Sequence, residues 1–247
     1  MELFFIRHGE AVTKKIDMTA PNRIERIEEY GSGNYHGGLT ERGRRQAEQV
    51  GRFLRNRRID RIYTSPTQRA FETAQLASKV MGLDVTVMEQ LKEAKVGYVR
   101  PDLHPRLKRS METALRINDV YARVTNREVF LPVALYFVTV YVSRWMSGRT
   151  QGGEPPDQVR SRLESVLDRL AEESDGQNHI ALFSHGYLIY YIANHILAPN
   201  KKWLNVARHP YVTNVSVTRV GRTRNGWRLL SYAEPVIDSK TFGFGGN

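Results

Sequence analysis

The chain reads as an α/β protein with three layers, α/β/α, around a mostly parallel central sheet, and with a helical insertion over the C-terminal ends of the strands. Three observations predict this. Between residues 2 and 88, short apolar β-rich runs alternate with amphipathic helical segments, the rhythm of a parallel sheet. That alternation breaks between about 95 and 150 and resumes with an apolar run at 179 to 184. Two of the runs stop abruptly at a His-Gly pair, at His8-Gly9 and His185-Gly186, where open α/β sheets place their ligands. With 247 residues there is room for a sizeable core, and we expect one domain, 1–247, with an inserted cap-like segment at about 95–150.

Each element has its own signal. Residues 2 to 7 are a first strand, with Leu3, Phe4, Phe5 and Ile6 suited to burial on both faces. Residues 11 to 38 are polar and rich in glycine and charge, which reads as a long loop beside the strand end. Thr40 is placed as an N-cap, and Ala47, Val50, Phe53 and Leu54 mark the apolar stripe of a helix running to about Asn56. Asp60 to Thr64 form a second strand. Ser65-Pro66 reads as a cap, and Phe71, Ala74, Leu76, Ala77 and Val80 as a helix ending at Gly82. A third strand covers 84 to 88.

In the insertion, Met111, Ala114, Leu115 and Asn118 have helical spacing, followed by the apolar run at 130 to 142. Val159, Leu163, Val166, Leu167 and Leu170 give a further amphipathic helix, and residues 179 to 184 a strand. Apolar residues from Leu188 to Leu197 give a helix behind it, and 213 to 219 with 227 to 232 a closing hairpin around Arg224-Asn225-Gly226.

Composition narrows the function classes. Cysteine is absent, which excludes disulfides, thiolate metal sites and a cysteine nucleophile. The apolar run at 130 to 142 is shorter than the roughly 20 residues of a membrane-spanning helix. No basic segment followed by a long apolar one opens the chain, so a cytoplasmic location is expected. The formal charge of +11 suits nucleic acid, a membrane surface or small anions. The 28 arginines and 9 lysines are scattered, with short clusters at Arg55-Arg57-Arg58-Arg61 and Arg219-Arg222-Arg224-Arg228, and no nucleic-acid motif accompanies them. Small anionic substrates fit best.

The chemistry-bearing residues share one logic. Arginine grips phosphoryl oxygens with a planar fork, and neutral imidazole is a nucleophile near neutral pH. Arg7, His8 and His185 stand at strand ends, and Arg69 near the start of a helix, where anions are favoured. If the two strands are neighbours, both imidazoles face a common ligand. Glycine at position 9 lets the backbone turn and admits a ligand close to the main chain.

The segments RHGE at 7 to 10, GLTERGRRQA at 38 to 47, TSPTQRAFETA at 64 to 74, LKE at 91 to 93, GGE at 152 to 154 and SHG at 184 to 186 resemble, in order, the histidine phosphatase superfamily. The resemblance implies His8 as the nucleophile that forms a phosphohistidine, Arg7, Arg69 and His185 as the phosphoryl cradle with Gly186 beside them, and Glu93 as general acid and base. Glu89 and Glu112 are the competing carboxyls. A carboxyl kept protonated can supply the leaving alkoxide with a proton and then activate water. On this reading His8 attacks as neutral imidazole while His185 helps most as imidazolium. No metal and no organic cofactor is implied.

After RHGE the chain has Ala11 and Lys14 where the family usually carries a small hydroxyl residue and an asparagine; Lys14 can still serve as a phosphate donor. The tryptophan-bearing motif of the mutases is absent from 11–38, which favours hydrolysis over phosphotransfer. A phosphoglycerate mutase-type activity and a catalytically silent binding or regulatory role stay open. The expected partner is a small phosphorylated substrate or inorganic phosphate, with neither membrane nor nucleic acid, and with a homo-oligomer left open. Tyr98, Arg100, Tyr136 and Phe137 are candidate cleft residues of the inserted segment, whose apolar face, if it lines the cleft, suits bulky or aromatic phosphomonoesters. Thr40 and Asn214 are read as a helix cap and a turn or strand-edge residue, not ligands.

Overall fold

The computed structural model describes residues 1–12, 37–97, 105–125, 131–174, 178–201 and 212–236. Its centre is strand β1 (Glu2–Arg7), in which Leu3, Phe4, Phe5 and Ile6 are all buried. A strand apolar at consecutive positions is stable only with both faces covered, so β1 belongs inside a sheet. There it pairs in parallel with β4 (His179–Ser184) and antiparallel with β5 (Val217–Thr223). With β2 (Arg61–Thr64), β3 (Val85–Val87) and β6 (Gly226–Glu234), the order is β3-β2-β4-β1-β5-β6. Strands β1 to β4 run parallel, β5 runs antiparallel to β1, and β6, antiparallel to β5, points the same way as the four, giving the expected mixed, mostly parallel sheet with helices on both sides.

Helix α1 (Glu41–Arg55) starts where predicted: the Thr40 hydroxyl accepts from Gly43 N at 3.0 Å, a cap contributing about 1 kcal/mol. Helix α2 (Gln68–Met81) starts two residues later than Ser65-Pro66 suggests, with Thr67 at the N-cap position, and ends on the left-handed Gly82. Its buried face is made of small residues, Ala70, Thr73, Ala74, Ala77 and Ser78, while Phe71, Leu76 and Val80 are only half-buried. Phe4, Ile6, Ile62, Ala181 and Phe183 of the sheet pack with Val50, Leu54, Ala74 and Ala77 of these helices in one core cluster.

Two compact units emerge, one from residues 1–12, 37–93, 159–174, 178–201 and 212–236, the other from the described part of 94–158. The second holds α3 (Pro105–Thr125) and α4 (Leu131–Met146). On α3, Met111, Ala114, Leu115 and Asn118 are buried, as their spacing predicts. On α4, Val142 and Trp145 are buried, and the indole N–H donates to the Glu154 carbonyl at 2.6 Å. Helix α5 (Pro156–Glu172) carries the predicted stripe from Val159 to Leu170, all buried. Helix α6 (Gly186–Tyr191) passes into a π-helical turn at Ile192–Leu197, which periodicity does not distinguish from ordinary helix.

The hairpin lies four residues later than expected on its first strand, because 212–216 form a loop against the end of β1: Val215 N donates to the Arg7 carbonyl and Arg7 N to Ser216 O. The basic clusters are tied down locally. Arg57 stacks on Phe53 at 3.4 Å from the ring centre, Arg219 pairs with Glu2, and Arg61 lies 3.7 Å from Glu173. Among the described residues no helix is long and apolar enough to cross a membrane.

Candidate active site

Parallel pairing of β1 with β4 sets Arg7 opposite Ser184, so the residues that follow, His8 and His185, leave the sheet side by side. Their rings meet edge-on with centroids 5.3 Å apart. Pairing of β2 with β4 sets Thr64 opposite Phe183, which brings the segment 65–69 to the same edge. From the first turn of α2, Arg69 Nε donates to His8 Nε2 at 3.1 Å. Arg7 lies against Gly186, where an added Cβ would sit 3.6 Å from Arg7 Nε, and Arg7 Nη1 donates to the Val212 carbonyl at 2.5 Å. Four residues from three distant segments, Arg7 with His8, Arg69 and His185, thus share one place at the C-terminal edge of the parallel strands.

His8 is held in a defined tautomer. Its Nδ1 lies 2.7 Å from the Gly9 carbonyl, which only accepts, so Nδ1 carries the proton and Nε2 presents its lone pair. The backbone around it is fixed from three sides. His8 N donates to Ser184 O, Asn214 Nδ2 donates to the His8 carbonyl at 2.9 Å, and Val215 in the same loop is held at φ 51°, a strained value for a β-branched residue. Asn214, read from sequence as a turn or strand-edge residue, is therefore a support of the site as well.

The RHGE turn is braced by both flanking helices. Gly9 N donates to Thr73 Oγ1 at 3.0 Å, and Glu10 N to Gln46 Oε1 at 2.8 Å. This corrects the reading of Gly9 as an opening for a ligand. A Cβ there would sit 2.6 Å from the Gly43 carbonyl oxygen, so glycine is required because α1 approaches the turn. The Glu10 carboxylate serves the same junction by accepting from the Thr40 hydroxyl and pairing with Arg42.

Both histidines are pushed the same way. Burial, then the charges of Arg7 and Arg69, hold His8 well below the usual imidazole range, partly opposed by its bond to Gly9. Burial, then His8, Arg69, Arg7 and Arg162, do the same to His185. Without an oxyanion the two rings are not driven apart: four positive or protonatable neighbours act on His185, and each favours the neutral ring. An oxyanion among these groups would offset that repulsion.

Glu93 follows a short 3-10 turn at Glu89–Leu91. Its carboxylate accepts from Leu188 N at 2.9 Å and Tyr187 N at 3.3 Å, the first turn after His185. The loop that carries it is fixed by Ser184 Oγ, donating to Leu91 O at 2.7 Å, and by Arg162 Nη1, donating to the carbonyls of Gln90 and Lys92 at 2.5 and 3.0 Å. Of the competing carboxyls, Glu89 is exposed and paired with Lys92, and Glu112 is on α3 in the second unit. The Tyr136 hydroxyl meets Ser110 at 2.5 Å within that unit. Lys14, Tyr98 and Arg100 lie outside the described residues, as does the side chain of Phe137.

Sequence reading missed Ser65 and Thr67. Their hydroxyls lie 2.9 and 3.0 Å from His185 Nε2. The signal is the two hydroxyl residues flanking Pro66 ahead of Arg69; Ser65 reads from sequence as a helix cap, and Thr67 carries no assignment.

Two arginine forks, a lone pair on a buried imidazole, a second buried imidazole and a carboxylate one helical turn away can grip a phosphoryl group and exchange its substituents. Family comparison agrees with this chemistry: the model of the histidine phosphatase superfamily (branch 1) matches residues 3–119 and 137–235, and the chain belongs to that family. Among relatives, a probable phosphoglycerate mutase, GpmB, of Salmonella choleraesuis is 24% identical over 227 residues, 92% of this chain and 87% of that protein. Among solved structures, a mycobacterial glucosyl-3-phosphoglycerate phosphatase superposes with a TM-score of 0.62 at 19% identity, over 95% of this chain and 99% of the other. A phosphoglycerate mutase from Bacillus anthracis gives the same TM-score and identity over 94% and 92% of the two chains.

Proposed function

We propose that the protein is a metal-independent phosphomonoester hydrolase that works through a phosphohistidine on His8. The observation that carries this is the orientation of His8: Nδ1–H is committed to the Gly9 carbonyl and the lone pair on Nε2 lies beside Arg69. Nε2 attacks phosphorus in line, the P–O ester bond breaks, and the leaving alkoxide takes a proton from the Glu93 carboxyl. Water, giving its proton to the Glu93 carboxylate, then attacks phosphorus; the P–N bond breaks and inorganic phosphate leaves. Arg7, Arg69 and His185 hold the charge that spreads over the equatorial oxygens.

Phosphotransfer between two positions of a phosphoglycerate is the second reading, favoured by the relatives named as mutases. Hydrolysis is supported by the missing tryptophan motif in 11–38 and by the similarity to a named phosphatase, whose structures include complexes with vanadate and phosphate. Candidate substrates are phosphoglycerates, their glucosyl derivatives and aryl phosphates. The test is a phosphomonoester screen in excess chelator, comparing the wild type with His8→Ala. Release of inorganic phosphate that survives the chelator and disappears in the variant is expected; activity retained by His8→Ala would overturn the proposal.

A further inference from the structure

His185 is fully buried, and its two ring nitrogens have contrasting surroundings. Nε2 faces two hydroxyls, Ser65 Oγ at 2.9 Å and Thr67 Oγ1 at 3.0 Å, which are themselves 3.3 Å apart. Nδ1 is buried and has no hydrogen-bond partner among the described residues. Nε2 is already engaged by protein, so Nδ1 is the nitrogen left for a phosphoryl oxygen. To donate there, Nδ1 must carry a proton. In a neutral ring this leaves Nε2 bare, and a bare, buried nitrogen needs a donor of its own.

The hydroxyl pair is that donor. Thr67 occupies the N-cap position of α2, where a threonine side chain ordinarily accepts from the first turn of the helix, yet its hydroxyl makes no capping bond and turns to His185 instead. Ser65 also makes no helix cap; its Oγ accepts from Thr67 N at 3.3 Å, which leaves the hydroxyl proton free to point at the ring.

Resting on the proposed phosphoryl chemistry, we propose that Ser65 and Thr67 are positioning residues that hold His185 as the neutral Nδ1–H tautomer when an oxyanion is bound, so that this ring donates a hydrogen bond to the phosphoryl group without carrying a charge. The surroundings explain why a neutral donor suits the place. Without the anion, burial and then His8, Arg69, Arg7 and Arg162 oppose a positive charge on His185, and the two hydroxyls give the neutral ring a donor at Nε2 once the anion is in place. The two guanidiniums already supply the charge, and what remains to be supplied is direction. A bare nitrogen accepts only one hydrogen bond, so either hydroxyl suffices.

Selective nitrogen-15 labelling of histidine, with His185→Gln used to assign the resonance, reads the tautomer directly in the intact protein with saturating inorganic phosphate or vanadate near neutral pH. The expected spectrum has His185 protonated at Nδ1 and bare at Nε2. Protonation at both nitrogens, or at Nε2 alone, overturns the proposal, and this is decided on the wild type whatever the variants do. In parallel, Ser65→Ala and Thr67→Val singly are expected to weaken phosphate inhibition no more than about threefold, and the double variant roughly ten- to hundredfold. Thr67→Ser in the Ser65→Ala background is expected to restore it. Equal losses in the singles and the double would also overturn the proposal. If hydrolysis depends on His8 but the tautomer is wrong, this inference alone fails; if His8→Ala keeps its activity, the functional reading fails.

Discussion

Replacing His8 by glutamine and lowering the pH should expose how strongly the fold resists protonating this ring. His8 is 7% exposed and lies against Arg69 and Arg7, which with burial depress its proton affinity. In the unfolded chain the same imidazole titrates near about 6.5. The sign follows from linkage: a histidine whose folded pKa is depressed leaves stability unaffected above the unfolded pKa and removes it as the pH falls below, because only the unfolded state takes up the proton. At about pH 5.5, one such histidine costs RT ln(1 + 10), about 1.4 kcal/mol, and at about pH 7.5 it costs less than ~0.1 kcal/mol. The difference in unfolding free energy between the wild type and His8→Gln should therefore shift by about 1.4 kcal/mol in favour of the variant between these pH values, a large change against typical stabilities of about 5–15 kcal/mol. Urea denaturation at each pH measures it; titrating groups remote from His8 cancel in the difference, and the same comparison in a His185→Gln background removes the contribution of the neighbouring ring. Parallel pH profiles for the two proteins would refute the argument that His8 is held neutral by its surroundings.

Three further outcomes follow from the packing. Gly43→Ala should gain about 1 kcal/mol of helix propensity, yet its Cβ would lie 2.0 Å from the Glu10 carbonyl oxygen; the backbone clash wins, with a net loss of about 2 kcal/mol, a fall in Tm of several degrees and reduced activity. Gly82→Ala, which meets nothing within 4 Å and faces only its left-handed φ of 71°, should cost about 1 kcal/mol and leave activity intact. Arg162→Ala releases the carbonyls of Gln90 and Lys92 and so loosens the loop carrying Glu93; kcat should fall about tenfold on alkyl phosphates and less on aryl phosphates, whose leaving groups need little protonation. An equal loss on both substrate types would disconnect Arg162 from proton transfer.

The meeting of His8 with His185 was legible because the decisive relation is one of neighbouring strands. Both end in an imidazole followed by glycine, and the parallel register of Arg7 with Ser184 does the rest. The capping role of Thr40 was legible too, because capping is local. What escaped depended on distant approach. Gly9 is glycine because of Gly43, 34 positions away, and Ser65 and Thr67 matter because β2 lies beside β4. The first strand of the hairpin was misplaced for a related reason: the apolar Val212, Val215 and Val217 look like strand, but the backbone between them is committed to the end of β1. The shared push of both histidines toward the neutral form was equally invisible, since it follows from burial and from guanidiniums that come from different elements.

The most direct measurement is a phosphoenzyme trap. Mixing the protein with a turned-over phosphomonoester labelled in its phosphoryl group and quenching in alkaline denaturant should leave up to about one phosphate per chain, stable to base, lost in acid and located on the peptide containing His8. Label that survives acid, or that appears equally in His8→Ala, would contradict the account.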